Sequence, residues 1–481
     1  MTSTLEIDPK FDRLADALAD RGARTALESA LPSYLREQRW FGGKARDITS
    51  VRIERWVDLE AEDDACLCLA RVEDSAGRKT EHQVYLASRP EAKRRIVFDA
   101  LESGSTRRRL AQILATGDAI EGQGMRLRVD RAHEVRCPGD GRILGADQSN
   151  TSLVFENASL LKVYRRLERG PSPDVELSRF LSEEAGFGAV PRFIATLTAE
   201  FEGASIDLLA LQAWVANDGD AFGWARAACL AALEANPASL TRWLQSEPEA
   251  IDRAAGLGRT TAQLHAALAS ATAVGLAPAQ PADDDRADWL GTIHEEAAAL
   301  LPLLDEGTPL HTAVAWIDGT GLDLPEDLGL KTRIHGDYHL GQVLLTGDSY
   351  VVLDFEGEPS RSLRERRTLQ SPLADVAGMV RSWDYAARLT ARESGGPSVE
   401  ALADEWGRAM RNRFLEAYWQ EASTSEPPFL PARETDRDAL LTILELRKAL
   451  YEVRYELNNR PDWVSIPGTA VIRIVEALSN V

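Results

Sequence analysis

The chain has 481 residues, of which 44% are hydrophobic and 27% are charged, and both fractions are ordinary for globular proteins. Its 55 Lys and Arg residues are outnumbered by 76 Asp and Glu residues, which gives a formal net charge of −21. This excess argues against a dedicated nucleic-acid-binding protein, which needs a basic surface. No apolar run reaches the ~18 residues of a membrane span, and no basic segment followed by an apolar one opens the chain. We therefore expect a multidomain cytoplasmic protein with no nucleic-acid or membrane partner.

Residues 1–95 combine one predicted helix with strand-like segments. Apolar spacing predicts the helix over residues 11–30, and alternation of polar and apolar residues predicts strands at 51–56 and 82–86. We interpret this part of the chain as a small α+β unit.

Residues 96–215 are richer in strand signals. Two short strands are predicted at 152–156 and 160–164, joined by a turn. A helix is then predicted to begin after Ser172, a good N-cap that precedes a proline. Strand-type residues return at 206–211.

From residue 216 to residue 481 the chain is rich in Ala and Leu and predominantly helical by pattern. One hairpin is predicted within it, with strands at 342–346 and 350–354. The strongest helix signal lies at 441–457, where apolar residues recur at spacings of three and four. A β-rich lobe followed by a helical lobe with one embedded hairpin is typical of bilobal phosphotransferases, although other α+β enzymes share this pattern.

The chemistry is concentrated in residues 335–342, which read HGDYHLGQ, and in the VVLDFE run that follows at 351–356. Phosphoryl transfer needs a carboxylate that orients the attacking hydroxyl and accepts its proton, and Mg²⁺ on the phosphates. Mg²⁺ prefers oxygen ligands. We predict Asp337 as the carboxylate and, because they fall at one end of the hairpin, Gln342, Asp354 and Glu356 as magnesium ligands. Each short pair alone could be a turn; the spaced set predicts a site.

The two histidines of this segment, His335 and His339, have the spacing of a metal-binding pair on a helix. Gly336 disfavours a continuous helix at this point. We therefore predict that both histidines support the loop.

These residues resemble the catalytic region of aminoglycoside-phosphotransferase-like kinases, whose usual HGDxxxxN ends in Asn where this chain has Gln342. The Gln variant is similar to that of actinobacterial-type maltokinases. The resemblance covers most of the chain through five further segments: QRWFGGK at 38–44, DQSNTS at 147–152, DFEGEP at 354–359, the run from Ser371 to Tyr385, and YExxYExxxRPxW at 451–463.

The resemblance implies an α+β, bilobal, protein-kinase-like fold that uses ATP and Mg²⁺. It divides the chain into an N-terminal cap at 1–95, a β-rich nucleotide-binding lobe at 96–215, and a helical lobe at 216–481 with the catalytic loop and the acceptor site.

In a kinase-like fold a strand lysine reaches the nucleotide phosphates and is held by a helix glutamate. Lys162 and Glu176 have the right positions for these roles. Taken alone, they could equally be a surface lysine and a glutamate that complements the helix dipole.

The chain has no GxGxxG loop in front of the first hairpin strand. The maltokinase resemblance instead implies that Ser149, Asn150 and Thr151 contact the phosphates. Gln212 and Val215 stand where a strand leaves the β-rich lobe, and this position predicts backbone contacts to adenine.

The helix at 441–457 carries two Tyr-Glu pairs one turn apart, which could simply form a solvated charged face. The resemblance implies that this stretch binds a sugar acceptor. The predicted acceptor residues are Tyr385, Tyr451, Glu452, Tyr455, Glu456, Arg460 and Trp463. A basic group at 361–367 could neutralise phosphate or form a solvated loop, and both interpretations remain open.

The implied activity is that of an ATP-dependent maltokinase, in which Asp337 activates the anomeric hydroxyl of maltose. The product, maltose 1-phosphate, would feed glycogen and other α-glucan synthesis from trehalose, with a possible association with trehalose synthase. Two alternatives stay open: a glucosamine kinase that forms glucosamine 6-phosphate, and a non-catalytic partner of trehalose synthase. The intact set of Asp337, Gln342, Asp354 and Lys162 favours catalysis.

Overall fold

The computed structural model describes residues 5–42, 47–91, 94–145, 150–319 and 321–479, with the backbone alone at 397 and 398. The chain divides into two compact units. Unit 1 comprises residues 1–183 and 191–216, and unit 2 comprises residues 184–190 and 217–481. The separation of residues 1–95 from 96–215 stays a prediction, since both ranges fall in unit 1. None of the described helices is long and apolar enough to cross a membrane.

The first sheet of unit 1 is antiparallel and has the strand order β1-β5-β4-β3-β2, with a further short strand, β11, paired to β4. Its strands are β1 Leu5–Ile7, β2 Ile48–Asp58, β3 Ala65–Asp74, β4 Lys79–Glu91, β5 Arg94–Asp99 and β11 Arg166–Leu167. Two helices, α1 Leu14–Ala19 and α2 Arg21–Glu37, bury their apolar residues against one face of this sheet. The central strand β3 is covered on both faces, which explains its uninterrupted apolar run.

The second sheet of unit 1 has the order β6-β7-β12-β13-β10-β9-β8. Its strands are β6 Ile120–Glu121, β7 Arg126–Arg131, β8 Arg142–Leu144, β9 Thr151–Phe155, β10 Ser159–Val163, β12 Phe193–Phe201 and β13 Ala204–Ala213. Helix α3 Gly104–Thr116 precedes the sheet in sequence, and helix α4 Pro173–Arg179 follows β11. One buried apolar cluster takes residues from both sheets and from α3, so the two sheets share a core.

A buried arginine links the two sheets of unit 1. The guanidinium of Arg165 donates to Asp99 Oδ2 and to Thr151 Oγ1, each at 2.9 Å. It also lies 4.6 Å from the ring centroid of Trp40, in the described part of the QRWFGGK segment. A buried arginine is tolerated only when its charge is paired, so Asp99 and Trp40 define the position at which the first sheet meets the second.

The sequence predictions for unit 1 are confirmed for the hairpin and corrected for the first helix. The predicted hairpin is observed as β9 and β10, paired from Thr151 to Val163. The helix predicted at 11–30 is two helices, because Asp20 ends α1 in an extended conformation and caps α2 by accepting the Ala23 N–H at 2.8 Å.

Unit 2 is built from helices around one short hairpin. The hairpin strands are β14 Val343–Thr346 and β15 Ser349–Val352, which confirms the prediction. The helices are α5 Ala221–Ala235, α6 Leu240–Ser246, α7 Pro248–Ala269, α8 Asp283–Leu300, α9 Pro309–Gly319, α10 Leu363–Arg366, α11 Leu373–Ser394, α12 Pro397–Ala422, α13 Glu434–Asn459 and α14 Ser465–Ser479. Helix α13 contains the predicted helix at 441–457.

Helix α11 is the central element of unit 2. It packs against α5, α12, α13 and α14, and it is buried on nearly every side. Several of its buried residues are polar or charged, among them Asp375, Arg381 and Asp384. Because a charged group in a helix core must be paired, these side chains determine which loops and helices approach α11.

Helices α7 and α12 approach each other closely at Gly258. A methyl group added at Gly258 would lie 2.2 Å from the backbone oxygen of Phe414, whereas one added at Gly291 of α8 would meet no atom within 4 Å. Gly258 is therefore needed for the close packing of two helices, whereas Gly291 affects only the conformational freedom of the backbone.

We expect Gly258→Ala to destabilise the protein by about 1–3 kcal/mol, because the helices must move apart. Gly291→Ala should stabilise it by about 0.5–1 kcal/mol, because alanine loses less chain entropy in a helix. Urea unfolding of both variants measures the difference; equal midpoints for the two would contradict the packing role of Gly258.

Candidate active site

The predicted nucleotide lysine lies in the interior of unit 1. Lys162 is in β10, opposite Ser152 of β9 and Ala210 of β13. Its Nζ is 3.0 Å from Asp174 Oδ2, and the Tyr164 hydroxyl donates to the same oxygen at 2.8 Å. Because Asp174 is buried, this pair fixes the ammonium at a defined point of the sheet.

Asp174 is a site residue that the sequence interpretation missed. The first turn of α4 carries both Asp174 and Glu176, and only Glu176 was assigned to Lys162. The pairing of Lys162 with Glu176, which is half-buried on the same helix, stays a prediction. Because Asp174 and Glu176 both lie in the first turn of α4, the sequence allows either of them to face the sheet.

The other predicted nucleotide residues have different surroundings. Ser149 lies outside the described residues. Asn150 and Thr151 are buried at the start of β9, and the hydroxyl of Thr151 already accepts from Arg165. Gln212 is buried in β13, and Val215 is half-buried just after that strand ends at Ala213. Their contacts with a nucleotide stay predictions.

In unit 2 the loop that carries Asp337 is held by one buried carboxylate. Asp375, in the first turn of α11, accepts the backbone N–H of His335 at 2.7 Å and that of Gly336 at 2.9 Å, one on each oxygen. Burial by itself would raise the pKa of Asp375, but the hydrogen bond and charge of His265 and the Gly336 N–H hold it below its ordinary value. Asp375 is therefore an anion that fixes the loop backbone.

A second layer of buried groups holds Asp375 itself. His265 of α7 has Nε2 at 3.4 Å from Asp375 Oδ2 and Nδ1 at 2.8 Å from the Tyr418 hydroxyl of α12. The ring of His265 is fully buried. His265 therefore supports Asp375 from inside the helical core.

The two histidines of the loop act as supports, as predicted. His335 Nε2 donates to the Leu353 carbonyl at 2.8 Å, while its Nδ1 accepts the Asp337 N–H at 3.3 Å. His339 Nδ1 accepts the Gly341 N–H at 3.1 Å, and burial lowers the pKa of His339. His335 thus links the loop at Asp337 to the strand that leads to Asp354.

The predicted magnesium ligands of unit 2 come together at the end of this hairpin. The Gln342 amide nitrogen is 3.2 Å from Asp354 Oδ2, and carboxylate oxygens of Asp354 and Glu356 lie within 4.8 Å of one another. Asp354 has a φ of 64°, a conformation that non-glycine residues adopt rarely and mainly at sites under constraint. The donor set of carboxylates and an amide fits Mg²⁺, which prefers hard oxygen ligands.

Asp337 lies at a cavity within unit 2. Polar side chains from the loop of Asp337, from α8, from the loop after Asp354 and from α13 line this cavity: Asp337, Glu296, Glu358, Arg361, Arg447 and Lys448. The ring of Tyr451 also lines it. Burial raises the pKa of the Tyr451 hydroxyl, and so do the charge and the hydrogen bond of Glu358. The cavity thus combines an aromatic side chain with carboxylates and with cationic groups.

The structure separates the predicted acceptor residues into three groups. Among the described residues, Tyr451 is the member of the predicted set that lines the cavity. Glu456 is buried, accepts both guanidinium nitrogens of Arg460 at 2.8 and 2.9 Å, and accepts the Tyr385 hydroxyl at 3.1 Å. Arg460 in turn lies 4.2 Å from the ring centroid of Trp463 and 5.6 Å from that of Tyr455.

Glu452 has a third environment. Its Oε2 accepts Arg381 Nε at 2.9 Å, and Arg381 also pairs with Asp384 at 2.7 Å. Burial raises the pKa of Glu452, while the Arg381 charge opposes that rise. Glu452 therefore links α13 to the central helix α11, and a sugar contact by this residue stays a prediction.

Comparisons with known proteins agree with this geometry. Residues 34–112 match the maltokinase N-terminal cap domain, and residues 140–428 match the phosphotransferase enzyme family. The chain belongs to the phosphotransferase enzyme family and carries the cap domain of maltokinases in front of its catalytic part. The resemblance read from the sequence is thereby confirmed.

Two curated relatives are named glucosamine kinase. The protein from Streptacidiphilus jiangxiensis is 31% identical over 333 residues, which cover 68% of this chain and 71% of the relative. The protein from Mycolicibacterium smegmatis (strain ATCC 700084 / mc(2)155) is 28% identical over 341 residues, or 70% of this chain and 79% of the relative.

Solved structures of glucosamine kinase share the fold. One crystal form has a TM-score of 0.66 at 22% identity and covers 92% of this chain and 97% of its own. A complex with glucosamine, ADP and inorganic phosphate has a TM-score of 0.63 at 23% identity and covers 88% of this chain and 93% of its own. The predicted α+β, kinase-like fold with a sheet-rich N-terminal part and a helical C-terminal part is confirmed.

We expect Asp375→Asn to lower kcat by about 10- to 100-fold, because the amide replaces one acceptor by a donor facing backbone N–H groups and the loop at Asp337 loses its position. Asp404→Asn, which removes a partly exposed acid of α12 paired with Arg388 of α11, should change kcat less than twofold by comparison. Steady-state kinetics with thermal unfolding of both variants makes the comparison. Wild-type turnover in Asp375→Asn would show that the loop does not depend on this carboxylate.

Proposed function

We propose that this protein is an ATP-dependent sugar kinase that phosphorylates maltose at its anomeric hydroxyl. The family supports phosphoryl transfer, and the cap domain is the one found in maltokinases. The observation that favours a disaccharide over a monosaccharide is an aromatic surface on α13. The products of this reaction would be ADP and maltose 1-phosphate.

An aromatic surface continues from the cavity along α13. The rings of Tyr451, in the cavity, and Tyr455 are 6.4 Å apart and tilted by 31°. Beyond Tyr455 follow Arg460 and then Trp463. Tyr455 is 45% exposed, so its ring is accessible to a ligand. A single sugar ring fills the position at Tyr451, whereas a second ring linked to it would lie over Tyr455.

In the proposed reaction Asp337 accepts a hydrogen bond from the acceptor hydroxyl and takes its proton as the oxygen attacks the γ-phosphorus. The new O–P bond forms while the bond from the γ-phosphorus to the β-phosphate oxygen breaks, and ADP leaves. Lys162, held by Asp174, binds the phosphates of ATP in unit 1. Mg²⁺, when bound by Gln342, Asp354 and Glu356, neutralises negative charge on the phosphates.

Glucosamine is the second candidate acceptor. The curated relatives bear that name, and the carboxylates of Glu296 and Glu358 in the cavity suit an ammonium group. Association with trehalose synthase, with or without catalysis, remains a further proposal that a pull-down with the purified enzyme would test.

An acceptor panel tests the proposed function. With ATP, Mg²⁺ and maltose, glucose, glucosamine or trehalose, we expect ADP release to be fastest with maltose. Asp337→Asn should lower the rate at least about 100-fold while ATP affinity stays within about twofold, because a general base contributes this much to turnover. Selective turnover of glucosamine would favour the second candidate, and wild-type rates in Asp337→Asn would exclude this residue as the base.

The outer aromatic surface has its own test. We expect Tyr455→Ala and Trp463→Ala to raise KM for maltose about tenfold and to leave KM for glucose nearly unchanged, because only the disaccharide reaches these rings. Tyr455→Phe is the matched control, since it keeps the ring and removes the hydroxyl, and it should behave as wild type. Equal effects of Tyr455→Ala on both sugars would refute a second sugar position here.

A further inference from the structure

A lysine of α13 faces the predicted catalytic base. Lys448 Nζ lies 3.6 Å from Asp337 Oδ1, and the two side chains are 26% and 27% exposed. Both line the same cavity of unit 2. Within the described residues, Lys448 is the ion-pair partner of the Asp337 carboxylate. This contact joins residues that are more than a hundred positions apart in the sequence.

The surroundings keep Lys448 charged. Burial by itself would lower the pKa of Lys448, but the carboxylates of Asp337, Glu358 and Glu452 raise it above its ordinary value. Arg361 opposes this effect, and Arg447, which follows in the same cavity, adds a further positive charge. The ammonium also lies 5.1 Å from the ring centroid of Tyr451, so it sits between the base and the proposed sugar-binding ring.

In this geometry the two oxygens of the Asp337 carboxylate have different partners. A carboxylate has two acceptor oxygens, and an ammonium carries three donors on a flexible stem. With Oδ1 directed at Lys448, Oδ2 is left to accept the hydroxyl of an acceptor. A carboxylate without such a neighbour rotates about its terminal bond with a broad preference, and the attacking hydroxyl would then be misaligned for much of the time.

We propose that Lys448 is a positioning residue for phosphoryl transfer, which orients the Asp337 carboxylate toward the acceptor hydroxyl. The inference rests on the proposed function in one respect, namely that Asp337 acts as the base of a kinase. It holds for whichever sugar is the acceptor, because the contact involves the base and not the sugar.

Kinetics of Lys448 variants test this role with the best acceptor of the panel. We expect Lys448→Met to lower kcat at least about tenfold with less than a threefold change in KM for ATP, because alignment and not nucleotide binding is lost. Lys448→Arg should recover most of the rate, since it restores a cation at the carboxylate. Lys448→Ala should be partly rescued by added ethylammonium, an effect that a merely structural lysine would not show.

Lys331→Met is the matched control. Lys331 forms an ion pair with Asp285 and is similarly buried in unit 2, and it does not line the cavity. It should retain wild-type kcat. If Lys448→Met also does so, the role of Lys448 is refuted while the kinase assignment stands. If the wild type acts on glucosamine and not on maltose, the proposed acceptor fails while the Lys448 test proceeds on glucosamine. A wild type inactive on every sugar would overturn both.

Discussion

The loop that carries Asp337 depends on one buried carboxylate. Asp375 accepts two successive backbone N–H groups at the start of this loop, so the orientation of Asp337, one residue further on, is fixed by a charge inside the helical core. That charge is tolerated because His265 pairs with Asp375 and Tyr418 in turn holds the ring of His265. Helices α7, α11 and α12, which supply these three groups, therefore have to pack in one arrangement before the loop acquires its shape.

Pairing of a charged side chain with a partner of opposite charge recurs at other positions of the protein. Lys162 is held by Asp174, Asp337 faces Lys448, and Glu456 fixes Arg460 beside two aromatic rings. In each case at least one charged side chain is buried or half-buried. Its partner of opposite charge offsets the free-energy cost of removing that side chain from water. The net charge of −21 excludes a basic nucleic-acid surface but says little about the substrate, because the site uses local pairs whose charges nearly cancel.

Helix α13 carries the side chains of the proposed acceptor region on successive turns. Successive turns of α13 present Lys448 and Tyr451 to the cavity, then Tyr455, and finally Arg460 at its end. Spacing of three and four residues keeps Lys448, Tyr451 and Tyr455 on one face. The intervening acids are directed elsewhere: Glu452 binds Arg381 of α11, and Glu456 binds Arg460. The acids hold the helix in place, and the aromatic residues are left facing outward.

The sequence by itself determined the local parts of this protein. Short-range spacing was enough for the hairpins at 151–163 and 343–352, for α13, and for the grouping of Gln342, Asp354 and Glu356, because these features are separated by few residues and follow from turn and helix periodicity. The motif order also identified the family. Only the tertiary structure decided which acid meets Lys162, that Asp375 anchors the loop, and that Lys448 faces Asp337. These contacts join distant positions, and their partners are set by how whole helices and sheets pack, which no local pattern encodes.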